Sequence, residues 1–271
     1  MRKLILFILD SFPGLKHILR GIRKHLSLSS SVSSDYVNLQ GEEALAEGKR
    51  LQNSWQDDAL PKRQRELVDQ QLKQFSTGVR IDVFDVLIES IRVLPDVITS
   101  DMSLLEIGCS SGFYSEVLQI SKVPLKYFGC DYSNAFINLA REKYPDLHFQ
   151  VEDATHLSYP DFSFDIVVSG CCILHIPEYV KAIKETTRVS KSYCIFHRTP
   201  IVWGQAEQWY RKKAYGCETV EIHFNETEFL DTLDKTGLEI LMTYTLHEEA
   251  LDFNRTRGNA IRTYVCKKKV K

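Results

Sequence analysis

The chain has no long apolar run, little charge imbalance and no paired cysteines, and each lack excludes a class of protein. A helix that crosses a bilayer needs about 20 apolar residues, whereas residues 4–9 form the longest candidate here and Asp10 ends it. That stretch also falls short of the roughly 7 to 15 apolar residues of a secretory signal, so a cytoplasmic location is expected. The formal charge of −2 denies nucleic acid the basic surface that neutralises phosphates, which favours a small-molecule substrate. The seven cysteines are odd in number and lack any C-x-x-C spacing, so they read as reduced, buried thiols. Cys171 and Cys172 are adjacent, which points them to opposite faces of a strand. No metal site is expected from that arrangement.

What is present suits one large α/β domain with a small helical annex. Residues 1–26 carry Arg2, Lys3, Lys16, Arg20, Arg23 and Lys24 against Asp10 alone. The apolar residues Leu15, Ile18, Leu19, Ile22 and Leu26 follow helical spacing, giving a basic amphipathic helix. Two roles are open to it: contact with a membrane surface or partner, or packing on its own domain. Residues 27–34, six of them serine, read as a linker. The division is therefore 1–34 for this basic segment and linker, 35–80 for a helical annex or lid, and 81–271 for the main domain.

Helical spacing predicts helices over 41–51, 61–75 and 81–94. Strands are predicted at 104–107, 127–130, 148–151, 164–169, 193–197, 238–244 and 261–266, with helical stretches near 114–120, 133–143, 178–187 and 226–236 between them. This alternation predicts a Rossmann-like, doubly wound, mostly parallel seven-stranded sheet with an antiparallel last strand.

The most informative stretch is Leu104-Leu105-Glu106-Ile107-Gly108-Cys109-Ser110-Ser111-Gly112-Phe113-Tyr114, a strand, a tight turn and a helix. Gly108 and Gly112 have no Cβ to keep a ligand from the backbone. Dinucleotide-binding folds, serine hydrolases with G-x-S-x-G and S-adenosylmethionine (SAM) methyltransferases all use similar strings. As a hydrolase, the chain would use Ser110 as nucleophile, with His197, His223 or His247 following in order. The next strand ends in Gly129-Cys130-Asp131-Tyr132-Ser133, placing an acid where a ribose is held. A plain helix N-terminus would also suit Asp131.

The third strand leaves Glu152-Asp153-Ala154, the fourth opens on Phe164-Asp165, and Ile173-Leu174-His175-Ile176 follows. In this order the set closely resembles the class I SAM-dependent methyltransferases that act on small molecules, over about residues 80–270. The resemblance implies SAM as cofactor. It implies a cradle from Glu106, Gly108, Cys109, Ser110 and Gly112, with Glu106 orienting the loop and the amino group. Asp131 would hold the ribose and Tyr132 would flank the adenine. Asp153 would accept from the adenine amino group and Ala154 would supply a backbone donor, while Ser169 and Gly170 would lie beneath the sulfonium. Ser110 stands where the commonest loop has its middle glycine.

Methyl transfer mainly needs alignment of nucleophile and methyl group, and a hydroxyl acceptor gains from a general base. His175 and His197 are the candidates, each with a structural role as the alternative. Residues 199–225 form a long connection expected to be a substrate lid, with Trp203, Trp209, Tyr210 and Arg211 against the substrate or, alternatively, packed on the annex. Trp55, Gln56 and Arg63 of the annex are expected to close over the cofactor. The expectation is O-methylation of a small molecule, with a saccharide or lipid-linked glycan favoured. N-methylation of a metabolite, SAM binding without catalysis and serine hydrolysis are the alternatives.

Overall fold

A computed structural model of the chain describes residues 33–269; the basic helix expected over 1–26 and most of the serine-rich segment lie outside the described residues. No helix among the described residues is long and apolar enough to cross a membrane.

Seven strands form the central sheet: β2 (Ser103–Ile107), β3 (Lys126–Asp131), β4 (His148–Val151), β5 (Phe164–Gly170), β6 (Ser190–Trp203), β9 (Leu238–Ala250) and β10 (Gly258–Lys268). Their order is β4-β3-β2-β5-β6-β10-β9. The pairings from β4 through β6 are parallel and β10 is antiparallel to both its neighbours, the arrangement expected from the alternation of elements. The middle strands are apolar at nearly every position because both faces are covered. Leu104, Ile166, Val168 and Ile195 lie in one core cluster, and Leu105 and Val167 in another.

Helices cover the two faces. The annex supplies α1 (Gly41–Gln52) and α2 (Leu60–Ser76), and α3 (Asp82–Arg92) leads into β2. After the strands come α4 (Tyr114–Ile120), α5 (Asn134–Lys143), α6 (Tyr179–Val189) and α7 (Glu226–Lys235). Helix α5 starts where it does because the Ser133 side chain accepts from Phe136 N, and Asn225 caps α7 by accepting from Glu228 N, as short polar N-caps do.

Three strands were not expected: β1 (Ser33–Leu39), β7 (Gln208–Ala214) and β8 (Cys217–Asn225). The annex is therefore not purely helical, and the expected lid over 199–225 is mostly regular strand. The geometry follows from the length of β6. Its pairing with β5 ends at Gly170 opposite His197, but β6 runs on to Trp203. The unpaired edge beyond β5 is taken by β8, parallel at Ile201 with Phe224 and Val202 with Asn225. Strand β7 then pairs antiparallel with β8, and β1 of the annex lies beside β7. This small extension hangs over the carboxyl end of β5, the side on which open α/β sheets bind ligands.

The annex is held to the extension at Gly48, where a Cβ would stand 3.0 Å from both Pro177 Cγ and Trp209 Cζ3. Overpacking of this kind costs about 1–3 kcal/mol. Gly48→Val is expected to lower the denaturant midpoint by a corresponding amount, measured by urea unfolding; an unchanged midpoint would show that the contact is slack.

Candidate active site

The turn after β2 is built around absent side chains and one buried carboxylate. Gly108 and Gly112 have φ of +74 and +75, a region that favours glycine. A Cβ on Gly108 would meet Cys172 Cβ at 2.3 Å, and one on Gly112 would meet the Phe149 ring at 2.6 Å. Ser110 also lies in the left-handed region, at φ +47. Its amide donates to Asp131 Oδ2 at 2.8 Å, while Ser133 N donates to Oδ1 at 2.9 Å. Asp131 thus ties the turn after β2 to the turn after β3, and each of its oxygens keeps a further lone pair. Cys109 is different: its thiol is fully buried, beside Gly129, and only its backbone belongs to the turn.

Below the turn, Glu106 is 2% exposed and accepts from the Tyr127 hydroxyl. Gly170 closes over it, since a Cβ there would stand 2.5 Å from Glu106 Oε1. Burial pushes the Glu106 carboxyl up to about 8 and that of Asp131 up to about 6. Ser169 Oγ lies 3.3 Å from Cys172 Sγ. At the exit of β4, Asp153 Oδ1 accepts from Thr155 N and Oγ1 at 2.8 and 2.7 Å, with Ala154 next to it and half-buried. The annex reaches this side through Gln56, whose Nε2 donates to Tyr132 O at 2.8 Å, and through Asn53, which accepts from the Tyr132 hydroxyl at 3.4 Å. Arg63 instead pairs with Asp57 and donates to Tyr215 O, in the β7–β8 turn.

The two histidines part company. His197 is 1% exposed, its Nδ1 lies 2.9 Å from Thr263 Oγ1 and its ring meets Tyr114 edge-on at 5.7 Å. It is a core residue within β6, and its Nε2 has no hydrogen-bond partner among the described residues. His175 sits in a short turn, Ile173–His175, at the mouth beyond β5. Its Nδ1 lies 2.5 Å from Val220 O, and Trp55 stacks on it with ring centroids 4.7 Å apart. A carbonyl only accepts, so Nδ1 carries the proton and Nε2 is left as an acceptor. Burial, with Lys212 nearby, lowers this imidazole to about 4.

The aromatic residues expected against the substrate are engaged elsewhere. Trp203 packs on Gly258 and donates to Arg255 O; Trp209 packs on Gly48 and donates to Glu207. Tyr210 bonds Gln208 and packs on Tyr36 and His223, and Arg211 pairs with Glu47. Trp209, Tyr210 and Arg211 thus meet the annex, and Trp203 the turn before β10. The hydrolase expectation also fails: the Ser110 hydroxyl is buried with no hydrogen-bond partner among the described residues, so no histidine activates it.

Sequence reasoning missed Arg198 and Tyr114, which lie near one another and near Tyr215 of the expected lid. Arg198 follows directly on the strand end expected at His197, and that adjacency was a usable signal. A cleft of about 610 Å³ lies between 38–45 and 206–209. Its acid, Glu207, already accepts from Tyr179 and Trp209, so it offers no converging free polar groups of the kind a site needs.

A family model described as a methyltransferase domain matches residues 105–196. Among curated relatives, the ubiquinone/menaquinone biosynthesis C-methyltransferase of Campylobacter jejuni is 30% identical over 103 residues, 36% of this chain and 44% of that protein. The chain thus spans under half the length of that relative. The demethylmenaquinone methyltransferase of Lactococcus lactis is 26% identical over 189 residues, covering 63% of this chain and 75% of its own. An SAM-dependent methyltransferase structure from Clostridium acetobutylicum shares the fold with a TM-score of 0.51 at 16% identity, covering 72% of this chain and 95% of that one.

The two buried acids set a pH dependence. Their carboxyl values are raised on folding, from 4.5 to about 8 and from 3.8 to about 6. Stability they contribute is complete below their unfolded values and is lost as pH rises through 6 and then 8. Urea unfolding of the ligand-free protein between pH 5 and 9 should show falling stability, and Glu106→Gln should flatten the fall above pH 6; an equal slope in the variant would reject this origin.

Proposed function

We propose, from the premise that this chain belongs to the class I SAM-dependent methyltransferases, that it transfers a methyl group from SAM to a hydroxyl of a small molecule. The residues present fit the cofactor. Two glycines leave the crest of the turn without Cβ atoms, the Ser110 and Ser111 hydroxyls are buried without partners among the described residues, and Asp131 has lone pairs to spare for ribose hydroxyls. Glu106, Gly108, Ser110 and Gly112, with the backbone of Cys109, would face the methionine and ribose portions. Tyr132, Asp153 and Ala154 would line the adenine, and Ser169 and Gly170 the floor near the sulfonium. When bound, SAM supplies an electrophilic methyl carbon on a positively charged sulfur.

The single observation that carries the hydroxyl reading is the fixed tautomer of His175. Val220 O holds the proton on Nδ1, so Nε2 is available to take one. A hydroxyl receiving that methyl group would become strongly acidic and would have to give up its proton. A base lowered to about 4 is then strong enough to receive its proton. Trp55 on the ring keeps water from the imidazole and holds its plane. A second reading has support from the relatives' names, which specify C-methylation. A phenol or enol deprotonated by the same nitrogen becomes nucleophilic at the adjacent carbon. No sugar is included in the proposal, because the aromatic residues that suggested one are engaged in packing.

Calorimetry with SAM and S-adenosylhomocysteine (SAH) is the first test, and binding of neither would overturn the assignment. With SAH release followed over a panel of small phenols and alcohols, His175→Gln should lower kcat about 10² to 10⁴-fold with SAM affinity within threefold of wild type. Equal kcat would remove His175 from the mechanism. Because its imidazole is neutral above about pH 5, the wild-type kcat profile should lack a limb near pH 6.5.

A further inference from the structure

Arg198 is a half-buried cation at the transfer site with no ion pair among the described residues. Nearby arginines differ, Arg63 pairing with Asp57 and Arg211 with Glu47. The neighbours of its guanidinium are the Cys171 thiol and the Tyr114 and Tyr215 hydroxyls. Removing a cation from water without an opposing charge is costly, and no carboxylate among the described residues pairs with it.

The position is enforced by backbone. Arg198 and Cys171 both lie in the left-handed region, at φ +59 and +61, a conformation unfavourable for a bulky residue. Each is pinned: Cys171 N donates to His197 O at 3.1 Å and Arg198 N to Thr263 Oγ1 at 3.2 Å. The third wall arrives from the extension. Tyr215 and Gly216 form the two-residue turn between β7 and β8, both with positive φ, as tight hairpins require. Arg63 Nη1 donates to Tyr215 O at 2.9 Å, and Gln64 of α2 lies close to the Tyr215 side chain. Sheet, α4, annex and hairpin thus converge on one guanidinium, close enough to His175 for its charge to help lower that imidazole.

We infer that Arg198, flanked by the Tyr114 and Tyr215 hydroxyls, binds a carboxylate of the methyl acceptor, so that the acceptor is a hydroxylated organic acid. The inference rests on the reading of the His175 mouth as the transfer site. A planar guanidinium with adjacent hydroxyl donors suits a carboxylate, which takes two parallel N–H bonds. The anchor also fixes which hydroxyl meets His175 Nε2, since the acid end is held at one side of the mouth and the base stands at the other.

The same chemistry exists on the amino-acid end of the cofactor, and the test separates the two sources. The full chain saturated with SAH is titrated calorimetrically with 4-hydroxybenzoate and with 4-hydroxybenzamide, its neutral match. The acid should bind wild type at least tenfold more tightly than the amide. Arg198→Gln should abolish that preference and Arg198→Lys should keep part of it, each with SAH affinity within threefold of wild type. No preference in wild type, or a preference that survives Arg198→Gln, overturns the inference. A loss of SAH affinity of tenfold or more in Arg198→Gln also overturns it, by assigning the anchor to the cofactor's carboxylate. Failure of wild type to bind SAH would instead defeat the underlying methyltransferase reading. Should Arg198→Gln not fold, Tyr215→Phe provides the same contrast: the preference for the acid should drop severalfold at unchanged SAH affinity, and an unaltered preference counts against the anchor.

Discussion

The Asp131 carboxylate is the interaction on which the rest of the site depends. It accepts from an amide in the turn after β2 and from another in the turn after β3, so two independent chain reversals become one surface. The Ser110 conformation, with φ of +47, is unfavourable in isolation, and a charge-assisted bond to its amide offsets that cost. With Ser110 so placed, Gly108 and Gly112 are free to turn sharply, and Phe149 fills the space that a Cβ on Gly112 would need. The void at the crest of the turn is thus set by contacts made beneath it.

Charge is distributed unequally across the two ends of the site. Under the turn lie Glu106 and Asp131, both raised by burial and both poised to become more acidic beside a cation. Beyond β5 lie Arg198 and the buried pair of Lys212 with Glu221, the latter also meeting His223 Nε2 at 2.8 Å. A positively charged methyl donor belongs over the acids, and an acceptor with a negative end belongs at the arginine. The field therefore orients two reactants before any specific contact forms, and aligned reactants are what a displacement at carbon requires.

The central sheet was legible because its signal is local and repeated. The apolar runs at 104–107, 164–169 and 193–197 match strands buried on both faces, and Gly108 and Gly112 marked the turn after β2 and Gly170 the end of β5. The histidines illustrate the limit. His175 and His197 occupy equivalent places at the ends of neighbouring segments, yet one lies at the mouth and the other behind Tyr114 and Thr263. Only tertiary packing distinguishes them. The extension was illegible for a related reason. Strand β7 carries Arg211, Lys212 and Lys213 in a row and β8 carries Glu218 and Glu221, and Lys212 and Glu221 are nonetheless 6% and 7% exposed. Burial of two opposite charges as a pair gives a core position the sequence character of a surface, so a pattern of apolar alternation fails to mark the strands.

The overrun of β6 past β5 explains why this chain has an extension at all. A strand continuing beyond its neighbour exposes a row of unpaired amides and carbonyls, an edge that has to be covered. Here the cover is β8, which carries β7, and its turn residue Tyr215 stands beside Arg198, only a few residues from where β6 parted from β5. The same solution brings Val220 O to His175 Nδ1 and so selects the imidazole tautomer. One requirement, satisfying a bare strand edge, therefore delivers both the wall beside Arg198 and the hydrogen bond that fixes the His175 tautomer. Sequence changes in β8 that preserve its pairing with β6 can accordingly alter that wall while leaving in place the bonds from Ser110 N and Ser133 N to Asp131.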